Sequence, residues 1–345
     1  MIRARSCPNC FVCGSAGEII YEGLVDVLYG APGKWSIRRC SSRDCGLLWL
    51  DPQPLAEDIG KAYDRYFTHG GAAADASVLK RIYGRVRASY LRTKLGYEVA
   101  GSDTGWRLLA PIANLHPGAA DVFAASVMFL PSPNPGASLL DVGCGGGDFM
   151  LRMRGRGWTV TGVETDPVAV ERARNRGLDV HQGQVAGAAL ADSTFDAITM
   201  SHVIEHVHDP RDLLVRCRRL LKPAGTLVML TPNSAAWGHR HFGRDWLSLD
   251  PPRHIHVFNS RNIRQLVTSA RLVPKRIATL AINASAVWPA SAAIRRARSS
   301  ADGDRPAITL KITRAGIARQ AAERLLRTVD PAAGEDLLAI ATRAE

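Results

Sequence analysis

The sequence predicts an α/β protein with a doubly wound parallel sheet, preceded by a small cysteine-bearing module and a helical connector. Three observations predict it. From Ala137 onward, apolar strand segments alternate with helical ones, the pattern of a parallel sheet covered on both faces. The first of these strands runs into a glycine-rich loop that opens a helix. Five of the seven cysteines fall within the first 45 residues.

A chain of 345 residues has room for one domain of catalytic size and one or two appendages. With 46% apolar and 22% charged residues it has the ordinary balance of a soluble protein, which excludes disorder, collagen or coiled coil as whole-chain readings. No stretch supplies the roughly 20 apolar residues of a membrane span. The uncharged run Ile277–Ile294 is interrupted by Thr279, Asn283, Pro289 and two serines. Met1–Arg5 leads into cysteines with no apolar segment, so a cytoplasmic chain is expected. The net charge of +12 would suit nucleic acid or an anionic membrane surface. Arginine is scattered, however, and no compact basic block occurs, so charge alone favours a solvated surface.

The N-terminal cysteines have metal-ligand spacing. Cys10-x-x-Cys13 is followed by Gly14, and Cys40-x4-Cys45 by Gly46; a glycine after the second cysteine permits the tight turn that aims amides at thiolates. Four thiolates make a closed, structural zinc site. Cys7 offers a competing pair with Cys10, which the position of Gly14 disfavours. Residues 1–50 are therefore read as a zinc ribbon, with strands Glu18–Tyr29 and Trp35–Arg39 joined by the Gly30–Gly33 turn. Residues 51–135 are read as a helical connector or lid, with helices over Leu55–Phe67 and 78–95. The proline-rich run Pro131–Gly136 closes it.

Residues 136–345 carry the alternating block. Ser138–Val142 is a strand, Gly143-Cys144-Gly145-Gly146-Gly147 the loop, and Trp158–Val163 the next strand, ending at Glu164. Asp166-Pro167 starts a helix, with proline at its permitted first turn. Leu178–Gln182, Phe195–Met200 and Thr226–Leu230 are further strands, with a helix from Pro210 to Leu221. Glycines let backbone amides approach a ligand at such a loop, and a carboxylate at the end of the next strand can grip two ribose hydroxyls. The glycine order, Gly143/Gly145/Gly147 with Asp141 two residues before, is not the dinucleotide G-x-G-x-x-G.

That loop resembles motif I of the class I S-adenosylmethionine-dependent methyltransferases. The resemblance extends through Glu164-x-Asp166-Pro167, Phe195-Asp196, His202-Val203-Ile204-Glu205-His206-Val207, Leu221–Gly225 and Pro252-Arg253-His254-x-His256-x-Phe258. The part of the family it is most similar to includes ubiquinone-biosynthesis O-methyltransferases and deoxysugar methyltransferases. It implies a Rossmann-like seven-stranded sheet, with Leu272–Leu280 as sixth strand, Asp336–Thr342 as an antiparallel seventh, and an insertion at about 281–333. It implies S-adenosyl-L-methionine as cofactor, held by Asp141, Gly143, Cys144, Gly145 and Gly147, with Glu164 on the ribose. Ser201 and His202 would lie near the sulfonium. Gln184 stands where the family has an acidic residue for adenine, a departure that weakens that assignment.

Methyl transfer to a hydroxyl needs a base, and an imidazole titrates near neutrality. His206 is the candidate, with Glu205 orienting it or binding substrate; both could equally be packing residues. Trp246, His254 and His256 are read as a substrate wall, although alternation along an extended segment lets only one of the two histidines face it. A divalent ion on Glu205 and nearby histidines is the alternative use. The expected acceptor is a sugar, glycan or other small metabolite. An RNA acceptor gripped by the ribbon, and a non-catalytic zinc-ribbon scaffold, remain alternatives. The insertion helix, about Leu310–Arg327, has an apolar stripe that suits core or dimer packing; its arginine-rich face keeps a peripheral membrane contact open.

Overall fold

The N-terminal cysteines sit on a short antiparallel sheet. In the computed structural model, which describes residues 1–63, 78–98, 119–299 and 313–344, the chain begins with β1 (Ala4–Arg5), β2 (Gly17–Leu24), β3 (Trp35–Cys40), β4 (Leu48–Asp51) and β5 (Gln53–Pro54). β2 and β3 pair antiparallel, Gly17 opposite Cys40 and Leu24 opposite Trp35, and β4 adds to β3. The strand expected over Glu18–Tyr29 ends at Leu24. There the Asp26 carboxylate accepts hydrogen bonds from the amides of Leu28, Tyr29 and Ala31 and winds the chain into a turn.

The connector differs from its expected form. In place of a helix from Leu55, a single 3-10 turn spans Ile59–Ala62. Asp58 accepts from the Arg3 backbone and guanidinium and from Lys61, which ties this turn to the β1–β5 pair. Residues 64–67, with Tyr66 and Phe67, lie outside the described residues. The helix expected over 78–95 is present as α1 (Val78–Leu95), and α2 (Ala119–Ala125) precedes the strand–helix block.

That block runs β6 (Ser138–Val142), α3 (Asp148–Arg154), β7 (Thr159–Glu164), α4 (Pro167–Arg174), β8 (Asp179–Gln182), β9 (Phe195–Ser201), α5 (Pro210–Leu220), β10 (Leu221–Pro232), α6 (Trp237–Phe242), β11 (His256–Val257), α7 (Ser260–Ser269), β12 (Leu272–Leu280), α8 (Ala284–Ser299), α9 (Arg314–Leu326) and β13 (Asp336–Arg343). The seven-stranded sheet has the order β12-β13-β10-β9-β6-β7-β8. β6 pairs parallel with β7 and β9, and β7 with β8. Leu139, Leu140, Ile198 and Met200 are fully buried, as strands covered on both faces require. β13, over the segment expected as the seventh strand, lies between β12 and β10. The N-terminal part of the expected insertion helix, 310–312, lies outside the described residues.

The chain divides into two compact units. One takes in the described residues of Met1–Phe67, His202–Leu214 and Leu230–Ala339. The other takes in those of Thr68–Ser201, Val215–Met229 and Ile340–Glu345. Within the first unit the ribbon is not an appendage. β11 completes its sheet, His256 opposite Trp49. Trp35, Ile37, Leu48 and Leu50 share one core with Trp246, Leu249, Val257 and Trp288. A three-stranded ribbon has too little apolar surface to fold on its own, and residues from 236 to 288 supply the missing side of its core.

Candidate active site

In the second unit, β6 delivers Asp141 and then the glycine loop. The Asp141 carboxylate is buried and accepts from Thr199 Oγ1 at 2.9 Å. Burial, with the Glu164 charge added, pushes it up to about 7. Gly143, Gly145 and Gly147 have φ of 71°, 52° and 83°, a region side chains avoid. A β-carbon on Gly145 would meet nothing within 4 Å, so the loop leaves open space there. The Gly145 amide donates to Glu164 Oε2 at 2.8 Å, and Glu164 Oε1 accepts from the amides of Thr165 and Asp166. Glu164 is thereby keyed to the loop at the end of β7. An open glycine cradle beside an anchored carboxylate fits the methionine and ribose ends of S-adenosylmethionine.

Two of the expected cofactor residues do other work. A β-carbon on Gly147 would fall 2.2 Å from Leu178 Cδ1, so this glycine serves close packing of the loop and has only its backbone for a ligand. The Cys144 side chain is buried, and its sulfur fills the space beside Gly162, leaving only its backbone for a ligand. Gln184 is exposed in extended backbone after β8, and Ser201 is exposed at the end of β9.

In the first unit, the segment after β9 gathers the titratable residues. His202 has φ of 54°, a strained value for a residue with a side chain. Its Nδ1 lies 3.2 Å from Glu205 Oε1, and its Nε2 is 3.8 Å from Asp336 Oδ1. Burial opposes the imidazolium, but the Glu205 hydrogen bond and charge, and Asp336, outweigh it and push His202 up to about 9. Glu205 is fully buried; its other oxygen accepts from Thr231 Oγ1 at 2.9 Å. Burial would raise it, yet the His202 interaction wins and holds it down at about 2. Glu205 thus orients His202, where the sequence reading paired it with His206.

His206 Nδ1 lies 3.1 Å from the Arg253 carbonyl and 3.0 Å from the Tyr63 hydroxyl. A carbonyl can only accept, so the Nδ1–H tautomer is the one that satisfies the Arg253 carbonyl, with the Tyr63 oxygen as a second acceptor and the lone pair on Nε2. Burial, then the nearby His254, lowers His206 to about 4, so the ring is neutral. His254 packs edge-on at 4.7 Å between ring centroids, its Nδ1 2.8 Å from the Ser248 carbonyl. His256 is not part of this group. It is buried against Phe11 and Phe258, at 5.4 and 6.0 Å between centroids, and belongs to the ribbon packing. Trp246 is also corrected: it is buried, and its indole donates to Glu335 at 2.8 Å, so it forms core rather than a substrate wall.

Two clusters offer metal-ligand atoms. Those of Cys10, Cys13, Cys40 and Cys45 lie within 4.8 Å of one another, with Sγ–Sγ distances of 3.6 Å for Cys10–Cys45 and 3.3 Å for Cys13–Cys40. A tetrahedron of ~2.3 Å Zn–S bonds has sulfurs ~3.8 Å apart, so the four thiols fit the ion. Cys7 is held apart, its amide on Asp51. Glu205, His206 and His254 also group within 4.8 Å; the Arg253 and Ser248 carbonyls hold the two histidine Nδ1 atoms, which leaves the Nε2 atoms as the ligating positions of this group. The sequence reading missed Tyr63, Asp250, Arg253, Asn283 and Asp336 as neighbours of these histidines, and Asp26 as the partner of Arg253. Arg253 lay inside the quoted Pro252–Phe258 motif; the others carry no local signal.

Residues 118–272 match a methyltransferase-domain family. The ubiquinone biosynthesis O-methyltransferase of Xanthomonas campestris is 35% identical over 157 residues, covering 43% of this chain and 64% of that protein. The mitochondrial enzyme of the same name from Schizosaccharomyces pombe is 39% identical over 105 residues, covering 28% of this chain and 38% of that one. The chain thus spans less than two thirds of these relatives' length. Among solved structures, geranyl diphosphate methyltransferase in complex with S-adenosylmethionine has 20% identity and a TM-score of 0.45, covering 73% of this chain and 95% of that one. A methyltransferase in complex with the Haloferax volcanii activator Trm112 gives 18% identity and a TM-score of 0.46, covering 68% and 93%. With its sheet order, its glycine loop and this sequence kinship, the chain carries a class I S-adenosylmethionine-dependent methyltransferase domain.

Proposed function

We propose that this chain transfers the methyl group of S-adenosylmethionine to a hydroxyl of a sugar, glycan or other small metabolite, with His206 as the base. The observation that carries this reading is the state of His206. It is neutral, its Nδ1 hydrogen is committed to the Arg253 carbonyl, and Nε2 is left as a proton acceptor. Bound S-adenosylmethionine supplies an electrophilic methyl group. Asp141, the Gly143–Gly145 backbone and Glu164 are the residues that would hold it. The acceptor hydroxyl would take that methyl group in place of its proton, and His206 Nε2 would accept the proton. The four ribbon cysteines would hold a structural zinc ion, with no open position for chemistry.

One test is labelled-methyl transfer from S-adenosylmethionine into an extract of a strain lacking the gene, fractionated into small molecules, lipids, glycans and RNA. Glu164→Ala serves as the blank. Label in a nuclease-resistant metabolite or glycan fraction is the expected result. Label released by ribonuclease would overturn the acceptor class and make the ribbon an RNA grip. Cofactor binding without transfer to any fraction would leave a scaffold.

A further inference from the structure

The ribbon hairpin reaches the proposed base through one buried arginine. Arg253 is 0% exposed. Its Nη1 donates to Asp26 Oδ2 at 2.8 Å and to the Ala62 carbonyl at 3.1 Å; its Nε and Nη2 donate to the two oxygens of Asp250. The guanidinium carbon lies 4.7 Å from the Tyr29 ring centre. A charge taken fully out of water persists only when its donors are met, and here they are met from three segments. Asp26 is the ribbon's contribution. It sits in the hairpin between β2 and β3, whose turn is folded around its carboxylate.

The same residue presents its carbonyl to His206 Nδ1. The backbone around it has little freedom. The Arg253 and His254 amides both donate to the Asp250 carbonyl, and Ile255 N donates to the Glu205 carbonyl at 2.8 Å. The plane of the Arg253 carbonyl is held by the His254 amide on the Asp250 carbonyl, and the Asp250 side chain is held in turn by the Arg253 guanidinium, so loosening the guanidinium loosens the turn that sets the plane.

We infer that Asp26 and Arg253 are positioning residues: the ribbon hairpin, through the Arg253 carbonyl, fixes His206 in the tautomer whose Nε2 can take a proton. This rests on His206 being the base proposed above. It makes the metal ribbon part of the reacting machinery, since the hairpin that carries Asp26 ends on Cys40, one of the four clustered cysteines.

The tautomer can be read without any acceptor. Full-length protein labelled with ¹⁵N-histidine gives two-bond nitrogen–proton patterns that distinguish Nδ1–H from Nε2–H, and His206→Gln identifies the signal. The wild type should show Nδ1–H alone. Asp26→Asn should convert the His206 pattern to a mixture or to Nε2–H, with S-adenosylmethionine affinity changed less than about twofold. Tyr63→Phe, which removes the other neighbour of Nδ1, should leave the pattern intact. With the acceptor fraction found above, Asp26→Asn should lower kcat by about tenfold or more at unchanged KM for the cofactor, a part of the usual value of a general base. Asp26→Glu, which keeps the charge, should restore both readouts in part and serves in its place should Asp26→Asn fail to fold. An unchanged His206 pattern in a folded Asp26 variant overturns the inference. A His206→Gln protein that still transfers methyl overturns the base instead, leaving the tautomer result standing.

Discussion

Replacing Glu205 by Gln tests the buried pair that holds the segment after β9. The substitution keeps an acceptor for Thr231 but removes the charge that faces His202 at 3.2 Å. Breaking a fully buried ion pair costs about 3–5 kcal/mol. The His202 side chain is 37% exposed, so solvent screens its half of the pair and the cost falls towards about 1–2 kcal/mol. The pH dependence follows from the two shifts. His202 is raised from 6.5 to about 9, so its share of stability is complete below 6.5 and is lost as pH rises through 9. Glu205 is lowered from 4.5 to about 2, so its share is complete above 4.5 and is lost as pH falls through 2. The full pair therefore contributes between about pH 4.5 and 6.5. Denaturant unfolding of wild type and Glu205→Gln at pH 5.5 and 9.5 measures both ends. The variant should be about 1–2 kcal/mol less stable at pH 5.5, with the gap shrinking below about 0.5 kcal/mol at pH 9.5, where the wild type holds an unpaired buried carboxylate. Equal gaps at the two pH values would refute the ion pair as their source.

Gly147→Ala places a methyl group 2.2 Å from Leu178 Cδ1 at a φ of 83°, and should destabilise the domain by about 2–4 kcal/mol, read as a lower unfolding midpoint. Gly145→Ala meets open space at φ 52°, so it should cost about 1–2 kcal/mol of stability and, in addition, weaken cofactor binding in calorimetry. Metal analysis of purified protein should find one zinc per chain, lost in a Cys40→Ser/Cys45→Ser variant; chelation should lower the unfolding temperature of the wild type and leave that variant unmoved. Trp246→Phe should reduce stability by about 1–3 kcal/mol with no change in cofactor affinity, because it strands the buried Glu335 oxygen that the indole now satisfies.

What sequence alone determined about this protein is what local spacing encodes. Strand–helix alternation from Ala137 gave the sheet, because the periods of the two elements differ and the connections are short. The paired cysteines gave the four-thiol cluster, because two or four intervening residues with a following glycine leave a knuckle few other options. The glycine loop and Glu164 were legible for the same reason: a backbone cradle and its carboxylate lie within one strand–loop–strand passage. Tertiary structure alone decided which partner each titratable group takes. Glu205 is adjacent to His206 in sequence but bonds His202, three residues back and ahead of the short 3-10 turn that carries Glu205. His254 and His256 differ by two positions, and the extended backbone sends one to His206 and the other to Phe11. Asp26 meets Arg253 across more than two hundred residues, and no pattern in either segment announces it. Long-range pairing of this kind is fixed only when the ribbon buries its apolar face on the core around Trp246 and Trp288. Local spacing can specify a motif, but burial brings distant charges together and sets their proton affinities.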